Sequence, residues 1–253
     1  LAEDVPGIYH AMGQTAECVA KRYNVTREAQ DEYALSSQLR TAAAQEAGFY
    51  DDEIIPMDTV MKLVNKETGE EKDVEVTVDR DDCNRPETTI EGLSSLKPVF
   101  DPENGSVTAG NSSGINDGAA CVLMMQRDEA EKKNLNVLAK IKSWASCGVD
   151  PALMGTGPIP SSKKALELAG WSVKDLDLLE INEAFAAQSI AVLKTLGAPE
   201  EKINVNGGAI AIGHPIGASG TRILVTLIHE MINRDVKKGL ATLCIGGGMG
   251  IAM

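Results

Sequence analysis

Short apolar segments alternate with helical segments over residues 118–253, and this alternation limits the fold more than any other feature. Residues 118–125 form a continuous apolar run, which is typical of a strand buried on both faces. The other elements expected in this part are a second unit that opens at 138–144, strands at 175–181, 239–244 and 249–253, and helices at 127–134, 161–170, 183–196 and 217–233. Regular alternation of this kind predicts an α/β fold in which helices cover a layered sheet.

The first part of the chain has a different pattern, with two helices followed by a pair of strands and a long loop. The second helix is expected to begin after Thr26, a good N-cap residue, and to stop at Gly48, which tolerates a left-handed backbone. The expected helices span 12–23 and 27–47, the expected strands span 53–64 and 72–78, and the loop spans 79–112. This part is therefore predicted to be a mixed α+β segment.

The composition excludes several classes of protein. The formal net charge of −13 argues against general nucleic-acid binding, because attraction to phosphates needs a basic surface. No apolar run reaches membrane-spanning length. The five cysteines form no CxxC pair, so neither disulfides nor a metal site is indicated, and the cytoplasm (alternatively the mitochondrial matrix) is expected. No signal or transit peptide is expected after Leu1, and the abrupt ends predict an excerpt of a longer polypeptide.

His214 lies in a glycine-rich turn before an expected helix, where an imidazole can be held at a fixed, exposed position. Pro215 disfavours the helical backbone at His214, and Gly213 allows the close approach of a ligand. The glycine spacing fits neither GxxxxGK[ST] nor GxGxxG, which argues against nucleotide binding. This setting favours a functional histidine over a structural one.

Cys244 and Asn182 also follow expected strands. Three glycines come directly after Ile245, so backbone N–H groups are expected next to the Cys244 sulfur, where they would favour the thiolate. The alternative is that Cys244 acts as a small buried hydrophobe. For Asn182 the simplest role is to cap the helix expected from residue 183, and the alternative is to hold a water beside the other two side chains.

Five segments resemble the active-site loops of thiolases. They are residues 108–118 (TAGNSSGINDG), 154–158 (MGTGP), 182–185 (NEAF), 207–220 (GGAIAIGHPIGASG) and 243–250 (LCIGGGMG). The resemblance runs from about residue 8 to the end of the chain, and the loop around Met154 is similar to the biosynthetic, acetoacetyl-CoA type. It implies a thiolase-like layered α/β/α C-terminal domain with an α+β loop domain.

The resemblance implies an acyltransferase that condenses two acetyl-CoA to acetoacetyl-CoA and CoA, and catalyses the reverse thiolysis. His214 would deprotonate a nucleophilic cysteine, and Asn182 would fix a water in the same oxyanion hole. Cys244 would be acid and base at the acetyl α-carbon, and the Gly246 amide would contribute to a second oxyanion hole. Such groups suit the reaction, because removal of a weakly acidic α-proton needs a positioned base and a site for the enolate-like oxygen.

The same resemblance places coenzyme A along the first part of the chain, as a thioester substrate and not as a covalently bound cofactor. Arg85 would lie near its phosphates, and Ala109 and Ser113 would lie along its pantetheine arm. The apolar walls near the acyl group would be Met12, Met154 and Phe185. The resemblance also implies a homo-oligomer, either a dimer or a tetramer.

The resemblance assigns residues 1–113 to a loop domain that binds coenzyme A, 114–134 to a strand and helix that complete an N-terminal domain, and 135–253 to the C-terminal domain. In thiolases a cysteine of the N-terminal domain accepts the acyl group, and none of these five cysteines lies in that motif. The N-terminal half is therefore expected to be missing, and the chain alone is expected to be inactive. Its strand at 118–125 is expected to expose unpaired edges.

A different class of protein is the main alternative: a catalytically silent module that binds acyl-CoA or lipid, or a partner subunit. A titratable pair of Cys244 and His214 favours the enzyme, whereas binding of coenzyme A without acyl exchange favours the silent module. The decarboxylating β-ketoacyl synthases are a weaker alternative, because they prefer two histidines, or histidine and asparagine, where this chain has Cys244.

Overall fold

The computed structural model describes residues 3–253, which form a four-stranded sheet covered by helices and a separate hairpin. The helices are α1 (Met12–Tyr23), α2 (Arg27–Glu46), α3 (Ile90–Ser94), α4 (Arg127–Lys132), α5 (Pro158–Ala169), α6 (Ala186–Leu196), α7 (Ala209–Ile212) and α8 (Ser219–Asn233). The strands are β1 (Met57–Val64), β2 (Glu71–Val78), β3 (Ala145–Gly148), β4 (Leu178–Ile181), β5 (Gly239–Ile245) and β6 (Met249–Ala252). Short 3₁₀-helices span Pro151–Thr156, Val173–Asp175 and Glu200–Lys202. Among these residues, no helix is both long and apolar enough to cross a bilayer.

The four-stranded sheet lies between two layers of helices. Its order is β3-β6-β5-β4, in which β4 and β5 run parallel and β6 is antiparallel to both of its neighbours. Successive side chains of a strand point to opposite faces. Leu179 and Leu240 therefore pack with α5 and α6 on one face, and Leu178 and Ala241 pack with α8 on the other. The predicted layered α/β/α arrangement is confirmed.

The first part of the chain docks on α6. Val19 of α1 packs with Ile190 of α6, and Ala34 of α2 packs with Ala186 at the start of the same helix. The hairpin of β1 and β2 stands apart, with all of β1 exposed. Helix α6 therefore joins the first part of the chain to the layered sheet.

The buried carboxylate of Glu183 joins three segments that are far apart in sequence. It accepts hydrogen bonds from the Tyr33 hydroxyl at 3.1 Å and the Ser37 hydroxyl at 2.6 Å, both on α2. It also accepts from the side chain of Asn204 at 3.0 Å and from the backbone N–H of Ile210 at 3.1 Å. Burial, and then the charge of Glu183, raise the pKa of Tyr33 well above its usual range, so Tyr33 stays a donor.

The strand expected over residues 118–125 is not formed, so that prediction is wrong. The segment has no ladder partner among residues 3–253, and Leu123 and Met124 are 78% and 63% exposed. An apolar run becomes a strand only where neighbouring strands satisfy its backbone groups. A cavity of about 1970 Å³ is lined by this segment and by α8.

Other elements also differ from expectation. Helix α6 begins at Ala186, three residues later than predicted, because residues 184–186 run extended beside residues 111–113. Ser113 N–H donates to the Ala184 carbonyl at 3.0 Å, and Ala186 N–H donates to the Asn111 carbonyl at 2.9 Å. The short helix α7 was not predicted from the glycine-rich pattern around it.

We expect Glu183→Gln to lower the free energy of unfolding by about 2–4 kcal/mol, because an amide group would then face buried donors. Urea denaturation followed by circular dichroism measures the change. The matched control is Glu201→Gln at an exposed position, for which the change stays within about 0.5 kcal/mol. Equal effects of the two substitutions would contradict the assigned role of Glu183.

Candidate active site

The turn before α8 holds His214 at the surface of the layered part. Gly213 has a φ of 91°, and a Cβ there would collide with the side chain of Asn116, so glycine is required. His214 N–H donates to the carbonyl of Gly114 at 2.8 Å. Residues 114–116 therefore fix the backbone on which the imidazole stands.

The imidazole of His214 is held from both of its nitrogens. Nδ1 lies 2.5 Å from the Ser219 hydroxyl, which itself donates to the carbonyl of Pro215 at 3.0 Å. Because the hydrogen of that hydroxyl is engaged in the bond to Pro215, its oxygen accepts a hydrogen bond from Nδ1–H. Nε2 then carries the lone pair, 3.3 Å from Nδ2 of Asn182, which donates to it. The arrangement leaves a neutral histidine with a basic nitrogen directed at Asn182.

Burial lowers the pKa of His214, and the positive charge of Arg222 lowers it further. The neutral imidazole is therefore the stable form at neutral pH. A neutral histidine can take a proton from a substrate or a thiol, which an imidazolium cannot.

Asn182 does not cap α6, so the simplest expectation for it is wrong. The cap position of that helix is Phe185, three residues further on, and Asn182 is fully buried at the end of β4. Its Oδ1 has no hydrogen-bond partner among residues 3–253. A buried acceptor of this kind suits a bound water or a polar group of a ligand.

Cys244 is a buried thiol, and the expectation that the glycine turn favours its thiolate is wrong. Burial raises the pKa of Cys244 to about 11, and a backbone hydrogen bond offsets this only in part. The thiol donates to Oε1 of Gln188 at 3.5 Å. At neutral pH Cys244 therefore acts as a proton donor.

Apolar side chains surround the sulfur. Met154, Phe185 and Ala184 pack with Cys244 in one cluster. Gly246 is exposed, and a Cβ there would lie 3.9 Å from Sδ of Met12. The structure thus brings the expected apolar walls close to the thiol and to the exposed turn behind it.

The three residues expected to contact coenzyme A lie on two loops. Both the N–H and the hydroxyl of Ser113 donate to the carbonyl of Ala184 at 3.0 Å, which places Ser113 beside Phe185. Ala109 is exposed on the same loop. Arg85 N–H donates to Gln38, whose side chain donates to the carbonyl of Ile210, so the exposed Arg85 is tied to α7.

Three buried polar residues of this region were missed by the sequence reading. They are Glu183, Gln188 and Ser219. Position near a helix start is the signal that could have identified two of them. Gln188 lies on the first turns of α6, and Ser219 opens α8. No cluster of histidine, cysteine and acidic side chains able to hold a metal ion is found within residues 3–253.

We expect His214 to titrate below its ordinary value of 6.5. Its ring signals in a pH series of NMR spectra are assigned from their loss in His214→Asn. Because the unfolded chain binds this proton more readily, His214 lowers the free energy of unfolding as the pH falls below about 6.5. A midpoint above 6.5 would contradict the half-buried, neutral imidazole.

Two family models match nearly the whole chain. The model of the thiolase N-terminal domain matches residues 7–128, and the model of the thiolase C-terminal domain matches residues 135–253. The expectation that the N-terminal half is missing is therefore not borne out.

Curated relatives are similar over the same range. An acetyl-CoA acetyltransferase of Rhizobium meliloti (strain 1021) is 57% identical over 97% of this chain and 59% of its own length. The acetyl-CoA acetyltransferase of Cupriavidus necator is 56% identical over 99% of this chain and 61% of its own length. The chain thus spans about 60% of the length of the curated relatives that it matches.

Solved structures share the fold. The Bacillus anthracis acetyl-CoA acetyltransferase superposes with a TM-score of 0.88 at 47% identity, over 97% of this chain and 60% of that one. Human mitochondrial 3-ketoacyl-CoA thiolase in complex with CoA has a TM-score of 0.84 at 42% identity, over 95% and 57%. With both domain models matched and the fold shared at this level of identity, the chain belongs to the thiolase family.

Proposed function

We propose that this chain carries the acid–base groups of an acyltransferase that joins two acetyl-CoA to acetoacetyl-CoA and CoA, and that cleaves acetoacetyl-CoA in reverse. The observation that carries the proposal is the contact between Asn182 Nδ2 and His214 Nε2 at 3.3 Å. It lies beside Asn182 Oδ1, for which the described part of the chain offers no partner. A neutral base next to a buried polar site is what an acyl transfer through a thioester needs. The names of the relatives support the same reaction.

In the direction of cleavage, His214 Nε2 takes the proton of an acyl-accepting thiol, whose sulfur then attacks the keto carbon of acetoacetyl-CoA. The carbon–carbon bond breaks, and its electron pair leaves as the enolate of acetyl-CoA. The S–H of Cys244 protonates the α-carbon of that enolate, which suits a thiol whose pKa is about 11. Asn182 holds a water at the thioester oxygen, and the Gly246 N–H binds the enolate-like oxygen.

Coenzyme A enters this proposal as a substrate held by the two loops beside the site. The exposed Arg85 binds its phosphates through charge-assisted hydrogen bonds from its guanidinium. Ala109 and Ser113 border the pantetheine arm, and Met12, Met154 and Phe185 border the acyl group.

Assembly as a dimer or tetramer and residence in the cytoplasm stay predictions.

We expect residues 1–253 to exchange the acetyl protons of acetyl-CoA for deuterium in D₂O, because this step needs the base at Cys244 and not an acyl-accepting cysteine. Mass spectrometry of acetyl-CoA measures the incorporation. Below pH 11 the rate is expected to rise with pH, about tenfold per unit, since the thiolate is the base and burial raises the thiol pKa to about 11.

The exchange is expected to be lost in Cys244→Ser and to persist in Cys147→Ser. The control position lies on β3, opposite Gly250 of β6, and also carries a free thiol. Binding of acetyl-CoA without any exchange would contradict the proposed acyltransferase function and favour the silent acyl-CoA-binding module.

We further propose that none of the five cysteines accepts the acyl group, so residues 1–253 do not cleave acetoacetyl-CoA. Cys83 and Cys121 are exposed on loops, Cys18 and Cys147 lie within α1 and β3, and Cys244 is buried beside Gln188. The measurement is the loss of acetoacetyl-CoA in the presence of free CoA. Cleavage by residues 1–253 would overturn the proposal, and its loss in a single Cys→Ser variant at position 18, 83, 121 or 147 would identify the acceptor.

A further inference from the structure

The buried carboxamide of Gln188 lies between Asn182 and Cys244. Gln188 is 1% exposed on α6, and its side chain reaches back toward the ends of β4 and β5. Its Nε2 donates to the backbone carbonyl of Asn182 at 3.1 Å, and its Oε1 lies 3.5 Å from Sγ of Cys244. Gln188 therefore contacts the residues at the ends of both strands, Asn182 after β4 and Cys244 on β5.

The orientation of this carboxamide is determined by its partners. A backbone carbonyl can only accept a hydrogen bond, so the nitrogen of Gln188 must face Asn182. The hydroxyl of Ser189, 2.6 Å away, takes the second N–H. The carboxamide oxygen is then left to face the sulfur, where it can accept only from a protonated thiol.

The Gln188 side chain has little room to move. A Cβ on Gly155 would lie 2.7 Å from Cβ of Gln188, so the 3₁₀-helix before α5 packs directly against the base of this side chain. Cys244 is itself 7% exposed and makes its side-chain hydrogen bond to Gln188. Both partners of the S–H···O contact are thus fixed by packing.

We propose that Gln188 is a positioning residue, which accepts the S–H of Cys244 and holds the sulfur in one orientation relative to Asn182 and His214. The hydrogen bond itself is independent of the proposed function. Its consequence rests on that function: the carboxamide oxygen keeps the sulfur protonated between turnovers and directs it to the place where the acetyl α-carbon is reached.

The hydrogen bond is tested by the infrared S–H stretch of residues 1–253. The Cys244 band is assigned from its loss in Cys244→Ser. In Gln188→Met, which keeps the chain length and removes the acceptor, the band is expected to shift to higher wavenumber. In Gln188→Glu, which keeps an oxygen at that place, the band is expected to remain at lower wavenumber than in Gln188→Met.

The matched control is Gln30→Met. Gln30 is also fully buried and also donates to a backbone carbonyl, that of Val25, but it lies on α2 away from the sulfur. This variant is expected to leave the Cys244 band in place. An unshifted band in folded Gln188→Met would overturn the proposal.

A second measurement keeps the test sharp if Gln188→Met does not fold. The Cys244 band of the unchanged protein is compared with the S–H band of a simple thiol in an apolar solvent. A lower wavenumber in the protein supports the hydrogen bond, and an equal one overturns it.

The positioning role is tested by the deuterium exchange of acetyl-CoA, compared between the proteins at an equal fraction of Cys244 thiolate. At that equal fraction the rate is expected to fall about tenfold in Gln188→Met, with unchanged affinity for acetyl-CoA. A shifted band with an unchanged exchange rate would overturn positioning while leaving the hydrogen bond intact. If the unchanged protein shows no exchange at all, the proposed function fails, and the infrared result still decides whether Gln188 holds the thiol.

Discussion

The carboxylate of Glu183 is the interaction on which the arrangement of this site depends. It is buried directly after Asn182, and it gathers donors from α2, from Asn204 and from the start of α7. Each of those donors would be costly to bury without an acceptor. The loop that ends in His214 and the strand that ends in Asn182 therefore meet around one negative charge.

The polar groups beyond that carboxylate form a continuous series across the ends of β4 and β5. Ser219 orients the imidazole of His214, which contacts the Asn182 side chain, while the Asn182 backbone contacts Gln188 and through it Cys244. Three segments separated by tens of residues thus present a base, an amide and a thiol. The base and the thiol are both held in their neutral forms. Burial sets those states more than neighbouring charges do, since it is the largest influence on the pKa of both titrating groups.

Much of this arrangement could be predicted from the sequence. Amphipathic spacing and good terminators located α1, α2, α5 and α8 to within a few residues, and the glycine-rich loops pointed to His214 and Cys244. The strand over 118–125 failed, because an apolar pattern does not show whether partner strands are present. The thiolate prediction for Cys244 failed for a related reason: the glycines follow Cys244 in the sequence, but only the fold shows how far Met154 and Phe185 bury its sulfur. A helix start at residue 183 was expected, which would make Asn182 its cap, because nothing local shows that residues 184–186 run extended beside a distant loop.

The buried, protonated state of Cys244 has a consequence for how the molecule ages. Peroxides and electrophiles attack thiolates that they can reach, so a shielded thiol with a pKa of about 11 reacts slowly at neutral pH. Cys83 and Cys121 are open to solvent, so such reagents reach them more easily than they reach Cys244. Oxidation is therefore expected at the exposed thiols before it reaches the buried sulfur of Cys244.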